Sequence, residues 1–386
     1  LMLPLERKSI EPVAAALSPE RVSAEHQSLM HFVSESPWED APFLRRVAEV
    51  ALPKLTAQSP IAAWIVDDTQ FRKKGEHSVG VARQYCGELG KADNCQAAVS
   101  LSLANAHGSL PVAFRLYLPK LWAEDKARRK IAKVPEEVKF ATKPEIALAQ
   151  IKAGLEAGLP RAPVLMDAGY GTDLNLRRGL SALEIPYVAQ IANNCRMHDP
   201  GSGKAFSARQ PRRGQHGVEA AKDIAKRLAP DAWKTIEWRE GSSAPLVSRF
   251  ARLRVIVTWR GRTDHRPEWL LIQWPQGEEE PTYWLSTLPE NTSFEALVRT
   301  AKLRWRIERD YHDLKQELGF DHFEGRSWRG FHHHASLCIA AYGFLICEKQ
   351  TFPPSGAAQT GRAAQPRLPQ MPRPRGSSTA RATSCP

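Results

Sequence analysis

Residues 61–69 read IAAWIVDDT, a short apolar run over 61–66 that ends in Asp67, Asp68 and Thr69. A run of that length and composition predicts a buried strand that carries polar groups at its exit. A basic, glycine-rich connection follows through Arg72, Lys73, Lys74, Gly75 and Gly80. Residues 96–104 and 110–118 flank the turn residues 105–109 and read as a hairpin. Pro144 in a first turn, then Leu148, Ile151 and Leu155, with Gly158 and Pro160 as stops, predict an amphipathic helix. Residues 163–171, PVLMDAGYG, repeat the opening pattern, an apolar strand over 163–166 that ends at Asp167. A helix over 174–183 and a strand over 187–191 complete the run. The order strand, hairpin, helix, strand, helix, strand predicts an α/β unit with a mixed sheet.

Outward from this unit, residues 1–60 read as a helical region, with apolar periodicity over 10–17 and 43–55 and breaks at Pro19, Pro37 and Pro42. No methionine occupies position 1, which leaves open a missing amino-terminal stretch. The α/β unit spans 61–192. Residues 193–290 begin with a loop rich in glycine and arginine over 201–217 and continue into alternating segments such as 253–259 and 269–274, which predicts a β-rich insertion. A helical part over 291–347 follows, opened by Ser293 as a partial cap and running to about residue 318. Residues 348–386 collapse into Pro, Ser, Ala, Gly and Arg, too few apolar groups to offset the entropy of ordering, and read as a disordered basic tail.

The hydrophobic fraction of 42% over 386 residues is ample for a buried core. No apolar run approaches a membrane span and no signal-peptide order opens the chain, which predicts a soluble cytoplasmic protein. A formal charge of +12 favours a polyanionic partner over acidic small molecules, although five of those charges sit on tail arginines. Six scattered cysteines form no CxxC pair and read as reduced thiols. Three consecutive histidines, His332, His333 and His334, point in different directions on a helix and cannot converge on one ion; they read as surface groups.

The chemistry concentrates in residues 302–315, KLRWRIERDYHDLK. Arg304, Glu308, Tyr311 and Lys315, spaced four, three and four apart, fall on a helix within an arc of roughly 60°. Leu303, Ile307, Leu314 and Leu318 form the neighbouring apolar stripe. Taken alone, the polar face is equally well an array of surface ion pairs worth a few tenths of a kcal/mol each. The upstream strand ends change that balance. If the first and fourth strands are neighbours in the sheet, Asp67 and Asp167 stand side by side, and a helix packed there brings Glu308 to the same place. Three converging carboxylates repel one another unless divalent cations neutralise them, and hard oxygen ligands suit Mg²⁺ or Mn²⁺.

These segments resemble insertion-sequence transposases of the DDE type, whose signature is Tyr, two residues, Arg, three, Glu, six, Lys. Arg304, Glu308 and Lys315 match it in type and spacing. Ala301 stands where the tyrosine belongs, so that phenol is absent or supplied by another group such as Tyr311. The stretches VDDTQF and LMDAGYG resemble the family's surroundings of its first two aspartates, and GFDHFEGRSW after Lys315 strengthens the match, which covers roughly residues 60–347. The resemblance implies a ribonuclease H-like fold interrupted by a β-rich insertion before the glutamate helix. It implies that Asp67, Asp167 and Glu308 hold Mg²⁺ or Mn²⁺, as two ions, and that Arg304 and Lys315 contact phosphates. Asp67 is preferred to Asp68 because the family pattern, Asp, any residue, Thr, ends on Thr69. Trp284, in YWLST, matches a tryptophan that stacks on a flipped base in some relatives, although an insertion-core role accounts for it better. Lys73, Lys74 and Arg72, and Arg209, Arg212 and Arg213, are further candidates to track double-stranded DNA, with solvated loops an equal account.

The implied activity is hydrolysis and strand transfer at the ends of an element, by a dimer on terminal repeats in the nucleoid. A two-metal nuclease without strand transfer and an inactive DNA-binding remnant are the competing expectations.

Overall fold

The computed structural model describes residues 1–203, 217–239, 245–259, 262–263, 266–275 and 280–351. The chain enters through α1 (Ile10–Leu17), α2 (Val22–Ser34) and α3 (Asp40–Thr56). Pro42 does not break the third helix, as the sequence suggested, but sits in its first turn, where a missing N–H costs nothing. The periodicity also passed over α2 entirely.

The strands β1 (Ala63–Arg72), β2 (Ala82–Cys86), β3 (Lys91–Ala104) and β4 (Ser109–Leu116) follow. β1 is longer than its apolar run. It stays paired with β3 from Ala63↔Ala104 to Arg72↔Cys95, so Asp67 and Asp68 lie within the strand rather than at its exit. The second half of β1 remains extended because the long β3 supplies hydrogen-bond partners along it and Thr69 and Phe71 are still buried there. The short helices α4 (Lys120–Glu124) and α5 (Lys126–Ile131) lead to α6 (Lys143–Glu156). A capping box fixes the start of α6, with Thr142 and Glu145 each satisfying the other's backbone N–H. Next come β5 (Val164–Met166), α7 (Ala168–Gly171), α8 (Leu174–Ala182) and β6 (Tyr187–Ile191).

β1, β5 and β6 run parallel, while β3 is antiparallel to β1 and pairs along its far side with β2 and β4. The order β4-β3-β1-β5-β6 is a ribonuclease H-like mixed sheet. The strands that follow are β7 (Arg196–His198), β8 (Val218–Ala220), β9 (Lys234–Arg239), β10 (Leu246–Trp259), β11 (Arg262–Thr263), β12 (Glu268–Trp274) and β13 (Thr282–Ser286), with α9 (Ala221–Arg227) among them. They form no separate sheet. β13 pairs antiparallel with β6, β12 with β13 and β10 with β12, so the same sheet continues outward.

Burial follows the alternation of side chains along the strands. One face, through Trp64, Val66, Val164 and Met166, packs under α3, α6 and α8. The other, through Ile65, Leu165, Val188 and Leu271, packs under α10 (Phe294–Lys302) and the start of α11 (Trp305–Gln316). The last helix, α12 (Trp328–Thr351), lies against α3 and β4. Its three histidines are buried, which corrects the reading of them as surface groups. His332 Nδ1 faces the Trp328 carbonyl at 2.9 Å, and its Nε2 accepts from the Leu116 N–H at 3.2 Å. His333 lies between the carbonyls of Val33 and Trp38 and stacks 3.5 Å from the Trp38 ring. His334 bonds the Gly319 carbonyl, and burial pushes its imidazole down to about 4. Backbone acceptors from three directions make this cluster compatible with the core.

The five described cysteines are all free. Among the described residues no helix is long and apolar enough to cross a membrane. The tail beyond residue 351, with Cys385, lies outside the described residues, as do Arg209, Arg212 and Arg213.

Candidate active site

β1 and β5 are neighbours, with Ile65 beside Leu165 and Val66 beside Met166. Asp67 and Asp167 stand one residue beyond those pairs, where β5 ends and β1 continues. Ile65 and Leu165 both face α10 and α11, so Asp67 and Asp167, two positions further along, turn to the same side. Asp68 shares the opposite parity with Trp64 and Val66 and turns toward α6.

The polar stripe of α11 lies along β1 on the side of Asp67. Arg304 donates from Nη1 to Asp67 Oδ2 at 2.7 Å and from Nη2 to Glu308 Oε1 at 2.9 Å. Tyr311 and Ser100 share a 2.7 Å hydroxyl–hydroxyl hydrogen bond, and Ser100 is the residue opposite Asp67 on β3. Lys315 Nζ donates to the Gln70 carbonyl at 2.9 Å. The single helix expected up to residue 318 is broken, however. At 303–304 the backbone switches to tighter bonds, Leu303 N–H to the Thr300 carbonyl and Arg306 N–H to the Leu303 carbonyl, and this joint places Arg304 at the helix entry.

Glu308 is therefore held one guanidinium away from Asp67, with its side chain 65% exposed. Among the described residues, no three His, Cys, Asp or Glu side chains are gathered closely enough to hold a metal ion. Burial pushes the Asp67 carboxyl up to about 7; Arg304 opposes that shift, while the carboxylates of Asp167 and Asp68 reinforce it. Asp167 caps the short α7 by accepting the Tyr170 N–H at 3.2 Å.

Asp68 is occupied in another way. It accepts from Lys143 Nζ at 2.7 Å, Gln70 Nε2 at 2.7 Å and the Tyr170 hydroxyl at 3.0 Å. Tyr170 is thereby held at both ends, by its backbone on Asp167 and by its phenol on Asp68. Sequence reasoning passed over Lys143 and Tyr170 in this network, although Tyr170 stands inside the quoted DAGYG. Gly171 in that stretch has a steric cause, because a Cβ there would collide with the Gln190 carbonyl.

Positive charge collects on the other side of Glu308. Lys302 donates to Gln273 Oε1 at 2.9 Å and lies 4.2 Å over the Trp238 ring, and burial with Arg239 and Arg304 nearby pushes it down to about 8. Arg239 lies 4.4 Å over Trp305. Lys302, Trp238 and Arg239 were not singled out from the sequence; Lys302 opens the quoted stretch, while Trp238 and Arg239 come from the distant β9 and are brought to α11 by the sheet rather than by spacing.

The side chains expected against DNA are mostly turned inward. Trp284 is 6% exposed and Lys315 9%. Tyr311 is occupied by Ser100, Arg304 by two carboxylates, and Lys73 donates to the Phe323 carbonyl at 2.6 Å. Lys74 is exposed. Trp284 lies in the core between β12 and α10, which places the ring in the sheet's packing rather than on an open face. A cleft of about 820 Å³ reaches both Asp67 and Asp167 and runs between β2 and the start of α6.

A family model described as "DDE superfamily endonuclease" matches residues 1–245, and one described as "Transposase DDE domain" matches residues 147–344. A probable transposase for insertion sequence element IS701 from Microchaete diplosiphon is 33% identical over 193 residues, 49% of this chain and 46% of that protein. The chain thus spans about half the length of the curated relative it matches.

Proposed function

This chain belongs to the DDE family of transposases, and from that premise we propose that it cuts and joins DNA phosphodiesters at the ends of an insertion sequence, with Asp67, Asp167 and Glu308 as the ligands of Mg²⁺ or Mn²⁺. The observation that carries the proposal is the guanidinium of Arg304, bonded to Asp67 and Glu308 together beside Asp167. Asp67 and Asp167 stand side by side at one end of the sheet, and a positive group already lies between Asp67 and the exposed Glu308.

The residues fit a divalent ion by their chemistry. All three offer hard carboxylate oxygens, and the charge of Asp67, disfavoured chiefly by burial and further by Asp167 and Asp68, is one that a bound cation would offset. The chemistry that two bound ions supply is activation of water or a 3′ hydroxyl and stabilisation of the leaving oxygen at phosphorus. The chain's own groups do the rest. Asp67 and Asp167 are fixed by the sheet, Glu308 turns inward from its exposed rotamer, and Arg304, released from both acids, moves to a phosphate. Tyr170 and Asp68 hold the Asp167 turn in place. Lys302 and Arg239 offer positive charge to the same strand. Lys315 orders the β1–α11 contact through the Gln70 carbonyl. The substrate is double-stranded DNA bearing terminal repeats, bound by a homodimer in the nucleoid of the cytoplasm.

The test is cleavage of terminal-repeat DNA in the presence and absence of Mg²⁺, with a supercoiled plasmid as target. Metal-dependent nicking with joined products, both lost in Glu308→Gln, is the expected result. Nicking without joined products would leave a two-metal nuclease, and binding without nicking would leave an inactive remnant.

A further inference from the structure

Ile307, Asp310, Leu314 and Lys315 are the buried side chains of α11, and an acid in such a place is tolerated only when it is bonded. Asp310 is fully enclosed, at 0% exposure, and accepts the Ser109 hydroxyl at 2.5 Å and the Tyr342 hydroxyl at 2.8 Å, both on Oδ1. Ser109 opens β4 and Tyr342 lies in α12, so one carboxyl ties the helix of Glu308 to two other elements. Burial pushes that carboxyl up to about 6, and the two hydroxyl bonds oppose the shift. Leucine would fill the position with no charge to desolvate, so packing alone does not account for the acid. The proposed chemistry does not use Asp310 directly either, since it stands two residues past Glu308, about 200° further round the helix.

Tyr311 and Lys315 fasten α11 along β1, on the side of Glu308. A helix attached along one line is free to roll about it. The joint at 303–304 separates α11 from α10, so the preceding helix does not remove that freedom. The bonds of Asp310 form a second line of attachment, to β4 and α12, and two lines fix the roll. With side-chain ends about 5–6 Å from a helix axis, a roll of about 20° carries the Glu308 carboxyl about 2 Å. Ligand distances in a metal site vary by only about 0.2 Å. We propose that Asp310 is a positioning residue: through Ser109 and Tyr342 it sets the roll of α11, and so where Glu308 stands relative to Asp67 and Asp167. The inference rests on the proposed role of those three acids and adds to it the group that aims the third. Because both bonds fall on one oxygen, an amide with its carbonyl in that place keeps them, whereas alanine loses them.

The test is made on the full chain without DNA, by amide hydrogen exchange in chelator and by binding of Mn²⁺, its free fraction read by electron paramagnetic resonance. Asp310→Ala should speed exchange across the α11 amides and weaken Mn²⁺ binding about tenfold, the lower end for groups that orient a metal ligand. Asp310→Asn should match the wild type in both. Tyr342→Phe, which removes one bond and keeps the ring and the carboxyl, should move both readouts the same way by a smaller factor, and it decides the matter if Asp310→Ala does not fold. Wild-type Mn²⁺ affinity in these two variants would overturn the proposal and leave the ligand assignment standing, provided Glu308→Gln weakens Mn²⁺ binding. Faster exchange of α11 with unchanged Mn²⁺ affinity would also overturn it, because the carboxyl would then steady the helix without aiming Glu308. Asp310→Asn as weak as the alanine variant would overturn it too, since charge rather than bonding would be at work. Unchanged Mn²⁺ affinity in Glu308→Gln would remove Glu308 as a ligand, and the role of Asp310 with it.

Discussion

Replacing Asp67 by Asn should stabilise the metal-free protein at alkaline pH. In the folded chain the Asp67 carboxyl titrates at about 7, against an ordinary value of 3.8, because it is buried beside two other acids. The folded state therefore binds the proton more tightly than the unfolded state. Stability is highest below the ordinary value and falls as pH rises toward 7, where the loss is complete. At about 1.36 kcal/mol per tenfold change in proton affinity, the ionised carboxylate costs the fold about 4 kcal/mol, with the help of Arg304 already included. The amide carries no charge at any pH. Urea unfolding in chelator at pH 4 and pH 8.5 should show the variant near wild type at the lower pH and more stable by up to about 4 kcal/mol at the higher. Excess Mg²⁺ should close that gap by stabilising the wild type alone. A variant equal to or less stable than wild type at pH 8.5, or stabilised equally at both pH values, would refute the reasoning.

Other outcomes follow from the same geometry. Glu308→Gln should abolish cleavage yet move stability by less than about 1 kcal/mol, since its bond to Arg304 is largely solvated; circular dichroism and denaturation on the purified variant check this. Trp284→Ala should cost about 3–5 kcal/mol by opening a cavity, a loss that a base-stacking surface tryptophan would not produce. Gly171→Ala should displace the Asp167 turn from β6, lowering both stability and the response to Mg²⁺ in the assay of cleavage. His334 titrates at about 4 in the fold against 6.5 ordinarily, so stability should fall by about 3 kcal/mol as pH drops from 6.5 to 4, and His334→Gln should flatten that limb of the urea midpoint curve.

The strands themselves were legible because short apolar runs ending in acids have few other readings, while their adjacency entered only as a condition. The runs at 61–66 and 163–166 became neighbours, and this adjacency sets Asp67 beside Asp167. The i,i+3 and i,i+4 spacing in KLRWRIERDYHDLK likewise foretold which side chains of α11 would lie along β1. Spacing says nothing of what lies opposite, however. Arg304 and Lys315, expected to contact phosphates, lie without nucleic acid against Asp67 and a backbone carbonyl, and Tyr311, the candidate for the missing phenol, lies against Ser100. The distinction between Asp67 and Asp68 was drawn from the family pattern, while the strand's alternation supplies an independent geometric reason for it. The histidine triplet misled because consecutive polar residues look solvent-facing; α12 is so enclosed that carbonyls from α2, α3's entry and the Gly319 turn surround it. β2 was passed over because ARQYC has no core face to betray it.

The continuity of the sheet across β6 and β13 has a mechanical meaning. A lobe joined by loops alone could swing aside to admit a bulky substrate, whereas one stitched on by a ladder of backbone hydrogen bonds moves only by tearing that ladder. The outer strands therefore hold Trp238 and Arg239 in a fixed relation to β1 and β5 through a continuous series of paired strands.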